Sequence, residues 1–320
     1  MGEFELIRHY FAAASCARGG EGVVLGIGDD CALLELPAGE QLAVSTDTLV
    51  EGVHFPTACD PLLLGQRALA VAVSDLAAMG ADPIGFTLAL TLPEVGADWL
   101  RRYADGLDRM AQRCGVSLIG GDTTRGPLSI TVTVFGKTPA GQALRRSGAR
   151  PGDLLCVGGC LGNAAGALPL VLGERQAPAD IAEPLLAHYW SPMPQLALGQ
   201  LLRGRASAAL DISDGLLADA GHIAKASGVA LELSVEQVPF SPALEAFLGR
   251  DAALQAALTG GDDYVLAFTL PEAQLSSLQE RSGVHVIGRV LAGQGVTLRD
   301  RQGRDITPTQ RGYQHFRETP

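Results

Sequence analysis

Residues 208–233 read AALDISDGLLADAGHIAKASGVALEL, and the pattern of that stretch decides the fold class. Ala208 to Ile212 is a short apolar run with strand character. Asp214 to Ser227 then predicts a helix, and Val229 to Leu233 a second strand. Working outward toward the C-terminus, Tyr264 to Leu270 and Val284 to Val290 read as further strands. Toward the N-terminus, Leu154 to Val157 reads as a strand and Asn163 to Leu172 as a helix. Beyond these, Leu128 to Phe135 alternates β-branched residues and is the clearest strand of the chain. Asp98 to Cys114 is an amphipathic helix, Val116 to Ile119 a short buried strand, and Pro83 to Leu92 another strand. Pro61 to Met79 predicts a long helix ended by Gly80. Gln41 to Thr48 reads as a strand and Glu3 to Ala14 as a helix. Helical and strand signals alternate throughout, so the class is α/β (α+β), in two mixed α/β domains.

Residues 136–153, GKTPAGQALRRSGARPGD, are polar and rich in Gly and Pro. They are the expected boundary between a domain over 1–138 and one over 139–320, and a chain of 320 residues suits two domains.

Composition narrows the function. Aromatics are only 5% of the chain, so Ala, Leu and Val carry the apolar content, which favours helices packed on sheets. The formal charge of −11 argues against nucleic acid as a partner, because counterion release needs clustered Lys and Arg. It also argues against anionic substrates unless metal ions stand between them and the protein. Leu62 to Met79, the most apolar stretch, carries Gln66, Arg67, Ser74 and Asp75 and reads as a buried helix, not a membrane span. Met1 to His9 lacks the cationic start and apolar core of a secretion signal, so the expectation is a cytoplasmic protein. The six cysteines form no CxxC pair and read as small buried hydrophobes in a reducing compartment.

The chemistry lies in a recurring context: an apolar run ends, a small or hydroxyl residue follows, then an aspartate. It occurs at Gly28-Asp29-Asp30, Ser45-Thr46-Asp47, Gly120-Gly121-Asp122 and Asp211-Ile212-Ser213-Asp214. Asp75 sits inside the apolar helix instead, where an ionised carboxylate is costly unless something faces it. Any one such aspartate is an ordinary cap or turn opener. Together, with Ser, Thr or Gly beside them, they form an oxygen-donor set suited to several magnesium ions bound with substrate phosphates. Arg145-Arg146 and Arg125 either face solvent or meet phosphate oxygens. Two motifs are decoys. Gly136-Lys137-Thr138 resembles the end of a P-loop, but Thr131 stands where glycine is required. Gly158-Gly159-Cys160-Leu161-Gly162 opens a helix without the dinucleotide-binding spacing and reads as a tight turn.

At these residues the sequence resembles the thiamine-monophosphate kinase family, in the superfamily of aminoimidazole ribonucleotide and selenophosphate synthetases. The resemblance runs through GIGDDCA at 26–32, STDTLVEGVHF at 45–55, AVSDLAAMGADP at 72–83 and LIGGDTTRGP at 118–127. It continues through RRSGARPGD at 145–153, LDISDGLLAD at 210–219, GGDDYVL at 260–266 and GYQHF at 312–316. It implies an N-terminal domain that binds ATP and magnesium and forms a β-barrel across a homodimer interface. A C-terminal α/β domain would close the cleft. Asp30, Asp75, Asp122, Asp211 and Asp214 would be magnesium ligands, with Ser45, Thr46 and Asp47 contributing. Asp30, Asp122, Asp211 and Asp214 would form the catalytic set, and Gly121, Asp122, Arg146 and Ser213 would meet ATP. His54, Asp263 and Tyr313 would hold thiamine monophosphate.

The chain departs from the family's usual pattern twice. Asp262 stands where glutamate is common, and Tyr313 where tryptophan often stands. The resemblance implies transfer of the γ-phosphoryl of ATP to thiamine monophosphate, giving thiamine diphosphate. The acceptor phosphate, with a second pKa of about 6, needs no general base. A selenophosphate synthetase would carry a reactive Cys or selenocysteine with a Lys in the loop at Gly19-Gly20-Glu21-Gly22, and neither is there. A metal-dependent phosphatase also gathers aspartates and would consume ATP without an acceptor.

Overall fold

The computed structural model describes residues 3–27, 31–279 and 283–313. The chain forms two compact units. The first comprises Met1–Leu76, Ala81–Ala143 and Trp190–Leu196, and the second Ala77–Gly80, Leu144–Tyr189 and Ala197–Pro320.

The first unit opens with α1 (Glu3–Leu6), which widens into a π-helix over Ile7–Phe11, so the expected helix to Ala14 stops short. Two short strands, β1 (Val23–Leu25) and β2 (Leu33–Leu34), pair antiparallel. The main sheet has four strands: β3 (Glu40–Val50), β4 (Asp82–Leu92), β5 (Ser117–Arg125) and β6 (Ser129–Pro139). Their order is β3-β6-β4-β5, antiparallel except for the β4–β5 pair. That parallel pair needs a crossover, which α3 (Ala97–Cys114) supplies. Leu100, Tyr103, Leu107, Met110 and Cys114 bury one stripe of α3, at the helical spacing the sequence predicts. The helix stops at Gly115, whose φ of 67° is left-handed. Among the described residues, α2 (Pro61–Ala78) is the helix long and apolar enough to cross a membrane, but 72% of that stretch is buried inside the protein. Asp60 precedes it, accepting from Leu62 N–H through Oδ1 and from Leu64 N–H through its carbonyl.

The second unit is built on six strands: β7 (Leu154–Val157), β8 (Ala208–Asp211), β9 (Ala230–Ser234), β10 (Leu266–Leu270), β11 (His285–Leu291) and β12 (Gly295–Arg299). Their order is β12-β9-β11-β7-β10-β8, with β9–β12 the parallel pair. The helices are α4 (Asn163–Val171), α5 (Ala179–Trp190), α6 (Leu196–Leu202), α7 (Leu216–Ser227), α8 (Pro242–Leu248), α9 (Arg250–Thr259) and α10 (Ser276–Gln279). Leu216, Leu217, Ala220 and Ile223 of α7 pack into a core with Leu210, Leu231 and Ile287 of the sheet. The strand–helix–strand reading of 208–233 is therefore right in its elements. The sheet nonetheless separates β8 from β9 by three strands, because β10, β7 and β11 insert between them.

Of the cysteines, Cys16, Cys114 and Cys156 are buried, and burial pushes their thiols up to about 12. Cys31 corrects the expectation of burial: it is exposed.

Candidate active site

In the first unit the expected ligands are not at strand ends. Ser45, Thr46 and Asp47 lie inside β3, and Gly121 and Asp122 inside β5. Pairing continues through them because β6 and β4 supply partners along their whole length: Thr46 opposes Thr133, and Asp122 opposes Ala89. Strand alternation then sorts the triplet. Ser45 and Asp47 point to one face, and the Ser45 hydroxyl donates to the Asp75 carboxylate on α2. That bond answers the question of what faces an acid inside an apolar helix. Thr46 turns to the other face, where its hydroxyl meets that of Thr133 at 2.9 Å. Thr48 and Thr131 repeat the pair at 2.8 Å, and the register runs from that row through Ala89 to Asp122.

Gly121 explains why β5 can carry Asp122 at all. Its φ is +154°, and a Cβ there would lie 2.0 Å from the Leu88 carbonyl oxygen of β4. Beside it opens a cleft of about 960 Å³ within the first unit, lined by Thr87, Gly120, Gly121, Asp122, Thr123 and Cys31. That volume suits a small organic ligand. Asp30, the neighbour of Cys31 by one residue, lies outside the described residues, as do Gly28 and Asp29.

His54 sits in the turn after β3. Its N–H donates to the Val50 carbonyl, and its Nδ1 accepts from Val50 N–H at 3.0 Å. An accepting Nδ1 puts the proton of the neutral ring on Nε2, which is then a donor. Gly136-Lys137-Thr138 lies in β6, not in a loop, and Lys137 pairs with Glu21 and Glu40 at 3.2 and 3.4 Å.

In the second unit three motifs distant in sequence meet. Asp211 closes β8, buried, and the turn Ser213-Asp214-Gly215 leads into α7. Asp262 N–H donates to the Ser213 carbonyl at 2.8 Å, and Tyr264 N–H to that of Ile212 at 2.8 Å. Tyr313 N–H donates to the Asp214 carbonyl at 2.9 Å. These crossings are close enough to forbid side chains: a Cβ on Gly261 would lie 2.3 Å from Ser213 O, and one on Gly312 2.5 Å from Asp214 O. Tyr313 is 48% exposed, while residues 314–316 of the GYQHF motif lie outside the described residues.

Asp219 is a residue that the aspartate-after-strand pattern misses, because it is one turn into α7. One of its carboxylate oxygens accepts from Ser213, Asp214 and Gly215 N–H at 3.0, 3.0 and 3.1 Å, which fixes the turn. Burial first, then the charges of Asp214 and Asp211, push its pKa up to about 7. Asp214, Asp219 and His222 have ligand atoms within 4.8 Å of one another.

Asp263, expected at the substrate, is 1% exposed. Its carboxylate oxygens accept from Gly162 N–H at 2.9 and 2.8 Å, at the start of α4. His188 Nε2 lies 3.1 Å from its carbonyl oxygen. Burial raises the Asp263 pKa well above the usual carboxylate range. The glycine-rich turn at 158–162 is thus closed by the protein's own acid. Asp262, partly exposed beside it, is the acid of this pair that reaches solvent.

Arg145 and Arg146 are exposed on a backbone held in place: Ala209 N–H donates to Arg145 O at 2.8 Å, and the Ser227 hydroxyl to Arg146 O at 3.2 Å.

The sequence matches the AIR synthase related protein N-terminal domain over residues 28–138 and the corresponding C-terminal domain over 150–301. It is 45% identical to the thiamine-monophosphate kinase of Escherichia coli K12 over 322 aligned positions, covering 98% of both chains. The chain belongs to the thiamine-monophosphate kinase family. Its structure agrees with that assignment. The crystal structure of thiamine-monophosphate kinase from Stenotrophomonas maltophilia K279a superposes with a TM-score of 0.83 at 47% identity, covering 87% of this chain and 91% of that one. A solved AaThiL complexed with AMPPCP and TMP gives a TM-score of 0.80 at 33% identity, covering 91% and 92%.

Proposed function

We propose that this chain phosphorylates thiamine monophosphate to thiamine diphosphate with ATP, by direct in-line transfer, as a step of thiamine diphosphate biosynthesis. The observation that carries this reading is its 45% identity, over 98% of its length, to a thiamine-monophosphate kinase. A family member complexed with AMPPCP, an ATP analogue, and TMP supports the two substrates.

The donor set fits magnesium: it is all oxygen, and Ser45 and Asp75 are already within hydrogen-bonding reach of each other. In this reading Asp47, Asp75, Asp122, Asp211 and Asp214 hold the ions together with Ser45 and with Asp30. Thr46 enters only through its main chain, since its side chain turns to Thr133. Bound magnesium supplies neutralisation of the phosphate oxygens as charge redistributes. The chain's own residues do the rest. Gly121 lets a nucleotide approach the backbone of β5, Arg146 and Ser213 present donors to phosphate oxygens, and Asp219 holds the Ser213–Gly215 turn. His54 offers its Nε2–H to the acceptor phosphate. Asp262 takes over the substrate contact first expected of Asp263, and Tyr313 lies against the organic part.

We also propose a cytoplasmic homodimer whose N-terminal domain, 1–138, binds nucleotide and builds the barrel. The support is β3, an edge strand with Leu42 45% and Val44 54% exposed, an arrangement that invites pairing with a second copy.

The test is to incubate the protein with ATP, magnesium and thiamine monophosphate, and to follow thiamine diphosphate with and without EDTA. Metal-dependent product is expected, with Asp122→Asn slowing it by about a hundredfold or more at saturating magnesium, its melting temperature unchanged. ADP release without an acceptor would overturn the reading in favour of a phosphatase.

A further inference from the structure

Asp262 and Tyr264 share an unusual backbone. Their φ angles are +67° and +51°, and among the described residues Ala58 is the one other non-glycine residue with positive φ. Left-handed backbone is strained for residues with a Cβ, more so for tyrosine than for aspartate. It persists where the surroundings over-determine it, and such places cluster at functional sites. Here the surroundings do so from three sides. Asp262 and Tyr264 N–H are tied to the Ser213 and Ile212 carbonyls, Gly261 lies against Ser213 O, and the intervening Asp263 is locked to Gly162. The strained loop brings the Tyr264 hydroxyl to Asp262, where it donates to Oδ1 at 2.9 Å.

We propose that Tyr264 is a positioning residue that aims the Asp262 carboxylate at the cationic organic part of the substrate; this rests on the functional reading above. An aspartate has two side-chain torsions, and its terminal torsion is soft. A hydrogen bond to one carboxylate oxygen fixes the plane of the group and the direction of the other oxygen. The shorter acid at 262 makes that brace effective, because fewer torsions stand between backbone and carboxylate. Aspartate also tolerates left-handed backbone better than most residues. Tyr264 itself need not touch the substrate.

The experiment compares the full-length enzyme with Tyr264→Phe, Asp262→Asn and the double variant. It measures kcat, KM for thiamine monophosphate and for ATP, melting temperature, and calorimetric binding of thiamine monophosphate. Asparagine at 262 keeps the left-handed preference, so its effect reports the charge. For Tyr264→Phe the expected result is a five- to tenfold rise, roughly, in KM and Kd for thiamine monophosphate, from one lost bond to a charged group. KM for ATP should change by less than about twofold. On the Asp262→Asn background the same change should add less than about twofold, because the two residues act as one unit. An unchanged KM for thiamine monophosphate would overturn the proposal. So would a full effect in the Asp262→Asn background, or a parallel rise in both KM values with a falling melting temperature. Failure of the unaltered enzyme to make thiamine diphosphate would instead overturn the functional reading, an outcome the phenylalanine variant, active at saturating substrate, cannot imitate.

Discussion

The two acid-bearing regions are held by different physics. In the first unit, Ser45, Thr46, Asp47 and Asp122 ride on paired strands, so the sheet register sets where each one points. In the second unit, Asp214, Asp262 and Tyr313 sit on turns, placed by chain crossings at Gly261 and Gly312 and by the buried carboxylates of Asp219 and Asp263. A strand distributes positional error over a ladder of hydrogen bonds. A turn concentrates it in two or three contacts. Damage to the strand pairing of the first region should therefore appear as lost folding, and damage to the turns of the second as lost binding or modest loss of stability.

The sharpest break of that contrast is Gly121→Ala. Its Cβ would collide with the Leu88 carbonyl on a backbone of φ +154°, and neither strand can yield without breaking the β4–β5 ladder. A loss of more than about 4 kcal/mol is expected in denaturant titration, enough to unfold many domains. Retention of wild-type stability would mean that register does not set this region.

A smaller effect is expected at Asp263. Asp263→Ala leaves Gly162 N–H without its acceptor and should cost about 1–3 kcal/mol. Asp263→Asn keeps an acceptor and sheds the buried charge. Because burial raises the Asp263 pKa in the folded state, its contribution to stability is present at low pH and is lost as pH rises. The asparagine variant should therefore gain on the parent as pH rises, and melting curves from pH 5 to 9 would reveal the slope. An alanine variant as stable as the asparagine one would remove Asp263 from its place as the anchor of the loop.

The smallest effect belongs to Asp60, which is not among the expected ligands. It caps α2 and pairs with Arg102, which lowers its pKa, with the pair partly exposed. Asp60→Ala should cost about 1 kcal/mol through the cap, and Asp60→Asn less than about 0.5 kcal/mol, as exposed ion pairs contribute little. A depressed carboxylate stabilises above its unfolded pKa and loses that contribution as pH falls, so wild type and Asp60→Asn should converge below about pH 4.

Much of this was legible in the chain. The apolar spacing of α3, the alternation of β6 and the strand-to-helix turn at 211–215 announce themselves, because their causes are local. The aspartate-rich segments were visible as a set. Their placement was not. That Asp47 and Asp122 lie inside strands depends on partners, Val132 and Ala89, far away in sequence. That Thr46 turns from Ser45 follows from alternation only once the strand is known to continue. Asp263 reads as a substrate-holding residue until α4 is seen to begin at its carboxylate, and Asp219 carries no signal beyond a helical acid. Sheet order in the second unit was hidden for the same reason, since alternating elements do not say which strands insert between β8 and β9.

The closure of α4 by Asp263 has a consequence for selectivity among ions. Helix starts with glycine before them ordinarily attract stray phosphate or sulfate. Here the attracting amide at Gly162 is taken by the protein's own buried carboxyl group. Buffer oxyanions thus have no hold on this turn. The loop that carries Asp262 is consequently tethered to a contact that the ionic composition of the medium does not titrate, unlike a surface ion pair.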